Sequence, residues 1–168
     1  MKNVIQIKNL ALILMAMVLF ISCNNDDDVM PEDTTITGLA LKTPDLSILV
    51  QALQKAELTT TLQASGEYTV FAPTNAAFTA FLATTPYATI NDVPKAALTE
   101  ILLNHVITTK LTASTLTTGY IKTLAKGTAS SSNTLSMYVN TSAGVKLNGT
   151  ANVITPDIMA SNGVIHVV

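Results

Sequence analysis

Tryptophan and arginine are missing from the 168 residues, cysteine occurs once and histidine twice. Each shortage closes off a set of functions. Without arginine there is no planar fork for bidentate capture of carboxylate or phosphate. Nine lysines stand against eleven acids with no clustered basic face, so no nucleic-acid partner is expected. Aromatic residues make up 5% of the chain, which leaves few stacking platforms for a carbohydrate. Both histidines, His105 and His166, fall inside predicted regular elements. The chain has neither a G-x-S-x-G turn nor paired metal-ligand spacing. Asp26-Asp27-Asp28 lacks the alternation of a calcium loop. No catalytic residue, metal or cofactor is expected, and an exported hydrolase is disfavoured.

What the chain does have is a secretory front end. Lys2 and Lys8 precede an unbroken apolar run from Leu10 to Ile21, too short for a comfortable membrane span but right for the core of a signal peptide. The following "LFISC" resembles the lipobox of bacterial lipoproteins, with Phe20 where leucine is more usual. That resemblance makes residues 1–22 a cleaved signal and Cys23 the lipidated first residue of the mature chain. It also accounts for a lone cysteine in an exported protein. Acyl chains bury at about 0.8 kcal/mol per methylene, enough together to hold a protein durably on a membrane. Residues 23–35 are acidic, carry Pro31 and show no periodicity, so they read as a disordered tether. Its acids resemble an export signal that places some lipoproteins on the outer surface, and Asp33-Thr34-Thr35 resembles an O-glycosylation acceptor. The expected location is the bacterial cell envelope, lipid-anchored at the outer membrane with surface exposure. Loss of the signal leaves seven lysines against eleven acids, a net charge of −4.

The remaining residues, 36–168, read as one domain. In "TPDLSILVQALQKAEL", Thr43 is placed to cap a helix, Pro44 fits its first turn, and Leu46, Leu49, Val50 and Leu53 make one apolar face. "TTTLQASGEY" reads as a short helical turn. "YTVFA", Tyr68–Ala72, is a predicted buried strand that Pro73 ends. Thr74 or Asn75 then caps a helix buried through Phe78, Phe81 and Leu82. The corner between them has no glycine and no nucleophile-base pair, so it is a joint rather than a phosphate cradle. A further helix spans roughly "DVPKAALTEILLNHVI", with Asp92 as cap and His105 on the inward face with Leu98, Ile101 and Leu102. From Leu111 onward, short threonine- and valine-rich runs alternate with glycines and read as tightly joined strands. Helices early and strands late indicate an α+β domain with an antiparallel sheet.

Three stretches, in order, resemble the boxes of fasciclin-like domains: "TVFAPTNAAF", "ILLNHVI" and "DIMASNGVIHVV". "KLTASTL" and "VKLNGTANVIT" also sit where that family places them. The resemblance covers residues 36–168 and implies a wedge-shaped β-sandwich flanked by helices, used for adhesion or interaction. It implies structural roles for Thr74, Asn75, Asn162, Gly163 and His166. Adhesion in animal relatives points to the matching positions His105, Asp157 and Ile158. Asn104 stands where tyrosine is typical, and Thr155 where an acid is. An aspartate after Pro156 is also a common turn residue. The family continues past "GVIHVV", so the stop at Val168 suggests a shortened last strand with an unpaired edge.

The functional expectation is a lipid-anchored, non-catalytic module for cell adhesion or matrix interaction. Its partners would be the membrane, through the anchor, and an extracellular polysaccharide, matrix protein or neighbouring cell surface. The alternative is a surface lipoprotein that binds a small ligand in an apolar pocket.

Overall fold

The computed structural model describes residues 32–129 and 132–168. The signal, Cys23 and most of the segment read as a tether lie outside the described residues. Its last three residues belong to the folded unit Asp33–Val168. Thr35 caps the first helix, α1 (Ile36–Leu41), by accepting from the Gly38 amide, and Asp33 Oδ1 in turn accepts from the Thr35 amide and hydroxyl. The fold therefore starts about one turn earlier than composition suggests, because capping side chains are themselves polar.

A short 3-10 turn (Pro44–Leu46) leads into α2 (Ser47–Lys55), and the four apolar residues expected on one face are buried. Thr43 has the extended backbone of a cap, but its hydroxyl donates back to the Leu39 carbonyl. Helix α3 (Thr59–Gln63) follows. Strand β1 (Tyr68–Ala72) and helix α4 (Asn75–Ala83) lie where predicted, joined at Pro73-Thr74. Phe78 is buried, whereas Phe81 and Leu82 are only half-buried. Helix α5 (Lys95–Leu103) starts after Pro94; Asp92 is not its cap, because its carboxylate accepts from the amide and hydroxyl of Thr89. These contacts hold the exposed Asp92 carboxyl below its usual range. The helix also ends before Val106–Ile107, which form β2 against β1. The same apolar residues that extend a helical pattern are β-branched and complete a sheet instead.

The second half supplies β3 (Gly119–Lys122), β4 (Ser136–Asn140), β5 (Lys146–Leu147), β6 (Ala151–Asn152), β7 (Thr155–Ala160) and β8 (Gly163–Val167). Asn148 and Gly149 both take positive φ at the β5–β6 corner, the geometry that Asn-Gly favours. Two four-stranded sheets result, ordered β2-β1-β8-β7 and β3-β4-β5-β6, in a sandwich-like arrangement with the helices in the N-terminal half. The second sheet is antiparallel; the first is mixed, because β1 and β8 run parallel from Tyr68↔Gly163 to Ala72↔Val167. Both are buried almost throughout, as parallel strands usually are, and no hairpin dictates their relative direction. The last strand is thus central, paired on both sides, rather than an exposed edge.

Alternation along β1 feeds two cores. Val70 and Ala72 face the helices with Leu49, Leu98 and Ile165. Phe71 faces the second sheet with Ile107, Met137, Val139 and Leu147.

Candidate functional site

Polar residues inside the sandwich hold its long connections. The His166 ring is fully buried and stacks on Phe71, centroids 5.3 Å apart. Its Nε2 donates to the Leu111 carbonyl at 2.8 Å, and its Nδ1 accepts from the Asp157 amide at 3.2 Å. Asp157 Oδ1 accepts from the Ala113 amide at 2.8 Å and lies 3.9 Å from His166 Nδ1. Thr69, also fully buried, donates to the Thr109 carbonyl and accepts from the Leu111 amide. Three side chains from three strands thus fix residues 109–113 against the first sheet. Asp157 is not in a turn: it sits in β7 at an irregularity between Thr155 and Ile158, with φ of 60°. A residue in that conformation at a bulge re-aims its side chain, here onto the 109–113 loop.

A second polar knot lies at the opposite end of β8. Asn162 Oδ1 accepts from the Ile36 amide, and its Nδ2 donates to the Leu62 and Ala64 carbonyls. One buried amide ties α1, α3 and the β7–β8 corner together. Beside it, a β-carbon on Gly163 would strike the Tyr68 backbone, so the close approach of β8 to β1 needs glycine there. At the β1–α4 joint, Thr74 accepts from the Ala77 amide and caps its own helix. Asn75 caps a different one: its Oδ1 accepts from the Ile48 amide and its Nδ2 donates to Pro44 O and Ser47 Oγ.

His105 stands apart from Asp157. Its Nδ1 donates to the Ile101 carbonyl at 2.7 Å, and the ring lines a cavity of about 190 Å³ with Pro73, Phe78, Phe81 and Ile101. Burial pushes its pKa down, partly offset by that hydrogen bond. Asp157 and Ile158 are adjacent in β7, yet the carboxylate reaches the 109–113 loop while Ile158 packs on the helix-side core. The three adhesion candidates therefore form no single patch. Asn104 accepts from the Thr123 hydroxyl, which ties the end of α5 to the chain after β3.

Glu100 escaped the sequence reading. Its Oε2 accepts from the Lys126 and Gly127 amides, and only a carboxylate on a helix opposite a glycine turn would have hinted at it. No group of three or more His, Cys, Asp or Glu side chains is placed to hold a metal among the described residues. The void inside the helix-side core is about 10 Å³, too little for an enclosed ligand. A larger open groove of about 710 Å³ runs between α2, α4 and the 87–91 loop, lined by Ile48, Leu82 and Tyr87.

A mixed sandwich with this β1–α4 joint and this His-Asp stitching is the architecture of a fasciclin domain. Residues 44–168 match that family, and the chain belongs to it. Among its relatives in Synechocystis sp. (strain ATCC 27184 / PCC 6803 / Kazusa), protein sll1483 is 41% identical over 134 residues, 80% of this chain and 70% of that protein. Uncharacterized protein sll1735 is 33% identical over 133 residues, 79% of this chain and 92% of that protein. Among solved structures, the FAS1 domain pair from the insect cell adhesion molecule fasciclin I superposes with a TM-score of 0.62 at 20% identity. That match covers 80% of this chain, which spans about half of the insect structure (49%).

Proposed function

We propose that the chain is a non-catalytic adhesion or matrix-interaction module, held at the bacterial cell envelope by a lipid on Cys23. The observation that carries this reading is where the fasciclin boxes spend their polar groups. Asn75, Asn162, His166 and Asp157 each hold backbone of another segment, and Thr74 caps the helix that follows it. Side chains spent on backbone in this way are not left free to serve as nucleophile or base, which supports a binding rather than a reacting role. The insect neighbour comes from a cell adhesion molecule, which supports the same class of function. The lipobox-like "LFISC" supports the anchor, and the acids that follow Cys23 support placement at the outer membrane and on the cell surface. His105, Asp157 and Ile158 remain the family-matched adhesion candidates, acting from separate faces.

The test is equilibrium binding of the full-length chain to extracellular polysaccharides and matrix proteins at low and high salt. Saturable binding without turnover supports the reading. Uniform absence of binding by a folded sample overturns it. A second reading, a small-ligand-binding surface lipoprotein, is favoured by the groove at Ile48, Leu82 and Tyr87. Thermal stabilisation by a pigment, lipid or sugar, lost on Tyr87→Ala, would support that reading.

A further inference from the structure

The outer face of the second sheet carries a cross-strand aromatic pair, Tyr120 exposed and Tyr138 half-buried. Alternation on β3 and β4 sends Ile121, Met137 and Val139 into the core. It sends Tyr120 and Tyr138, directly opposite each other, outward. Their rings lie 5.1 Å apart at 53°, and Tyr120 is 77% exposed, the most exposed large apolar or aromatic side chain among the described residues. Two of the chain's four tyrosines thus share one solvent-facing spot. Lys122 is the next outward residue on β3 and is exposed, its Nζ only 3.4 Å from the Thr134 carbonyl. On β5, Lys146 stands outward between Asn140 and Asn152.

The charge around this face is one-sided. Residues 101–156 contain four lysines and no acid, while ten of the eleven acids lie between residues 26 and 100. An acidic protein therefore presents a basic, aromatic sheet face with no carboxylate from its own strands to neutralise it.

We propose that this face binds an acidic polysaccharide. Sugar C–H faces stack on the Tyr120 and Tyr138 rings, and uronate carboxylates meet the Lys122 and Lys146 ammonium groups. The amides of Asn140 and Asn152 take hydroxyls. Stacking platforms are few in this chain, but the structure puts two of them side by side. With lysine rather than arginine, each carboxylate is met by a mobile point charge, so recognition tolerates irregular chains and weakens with salt. The absence of arginine and the acid-rich helical half favour this occupant over nucleic acid. The side-chain amides of Asn140 and Asn152 beside the rings favour it over a bilayer, whose acyl chains offer them no partner. The inference rests on the adhesion reading above and names its surface and ligand class.

The experiment is titration of the full-length chain with polygalacturonate, dextran, a panel of matrix proteins, phosphatidylglycerol vesicles and oligo-dT. Polygalacturonate is expected to bind saturably, with dextran at least about tenfold weaker. Tyr120→Ala and the double change Lys122→Gln/Lys146→Gln should each weaken binding about tenfold, as truncation of a central contact does. Tyr120→Trp should retain it; the lysine changes should leave the unfolding temperature unmoved, and Tyr120→Ala should lower it by only about a few degrees, through the lost contact with Tyr138. Polygalacturonate binding indifferent to all the substitutions overturns this face while leaving adhesion standing. No polysaccharide binding, alongside binding to a matrix protein, does the same. Failure of every extracellular ligand overturns both. Vesicles or oligo-dT bound more tightly, and released by the same substitutions, would reassign the face to a lipid surface or a nucleic acid.

Discussion

His105 is half-buried, and burial lowers its pKa from the ordinary 6.5. On acidification the unfolded chain therefore takes up this proton first, and the folded ring resists it. The contribution to stability is whole above about pH 6.5 and is lost as pH falls from there through the folded value. His105→Gln should flatten the decline in urea midpoint between about pH 7 and pH 5, a window above most carboxylate titration. An unchanged slope would show that the ring is solvated. Asn162 makes the opposite kind of contribution, independent of pH. Asn162→Ala strands the Ile36 amide and two carbonyls, and a loss of about 3 kcal/mol is expected in chemical denaturation. Helical spacing was enough to turn His105 inward, and the asparagine before Gly163 was legible as part of a box. The partners of both were not, because they lie on backbone of distant segments. Tyr120 was invisible for a related reason: a tyrosine in a strand reads the same whether it faces core or solvent.

At the level of elements, the joint after β1 shows how adjacent residues serve different helices. Thr74→Ala should cost about 1 kcal/mol and speed amide exchange at Ala77, the start of α4. Asn75→Ala should instead speed exchange at Ile48, at the start of α2 and 27 residues earlier in the chain. If Asn75→Ala loosened only α4, the cross-helix cap would be wrong. Elements with a strong local signature were legible in sequence: β1 through its proline stop, α2 through its apolar face, the late strands through the glycines between them. Those decided by competition were not. Asp92 had a nearer donor in Thr89 than in α5, and Val106 and Ile107 found an open flank on β1 that a longer helix would have left bare. Asp157 follows a proline, which reads as a turn, yet pairing on either side of it leaves room only for a bulge.

Over the whole molecule, the two cores meet across β1 and β8, so neither should melt alone. Val139 is fully buried between the sheets, and Val139→Ala should cost about 2 kcal/mol while keeping one transition. Far-UV dichroism and tyrosine fluorescence should coincide through that transition; separated midpoints would mean that the second sheet is an independent unit. The α+β class and the order of elements were readable because hydrophobic periodicity changes midway along the chain. The parallel pairing was not, since nothing local records which distant strand will lie alongside. That pairing also sets a timetable. The centre of the first sheet joins residues 95 positions apart, so β1 waits for nearly the whole chain before its second flank is filled. Local helices can form in microseconds, but this closure belongs to the slow end, on the order of milliseconds to seconds. Until Gly163–Val167 arrives, a strand whose last four residues are buried in the finished fold has one side open. The interval before the last five strand residues dock is when the chain is most exposed to self-association.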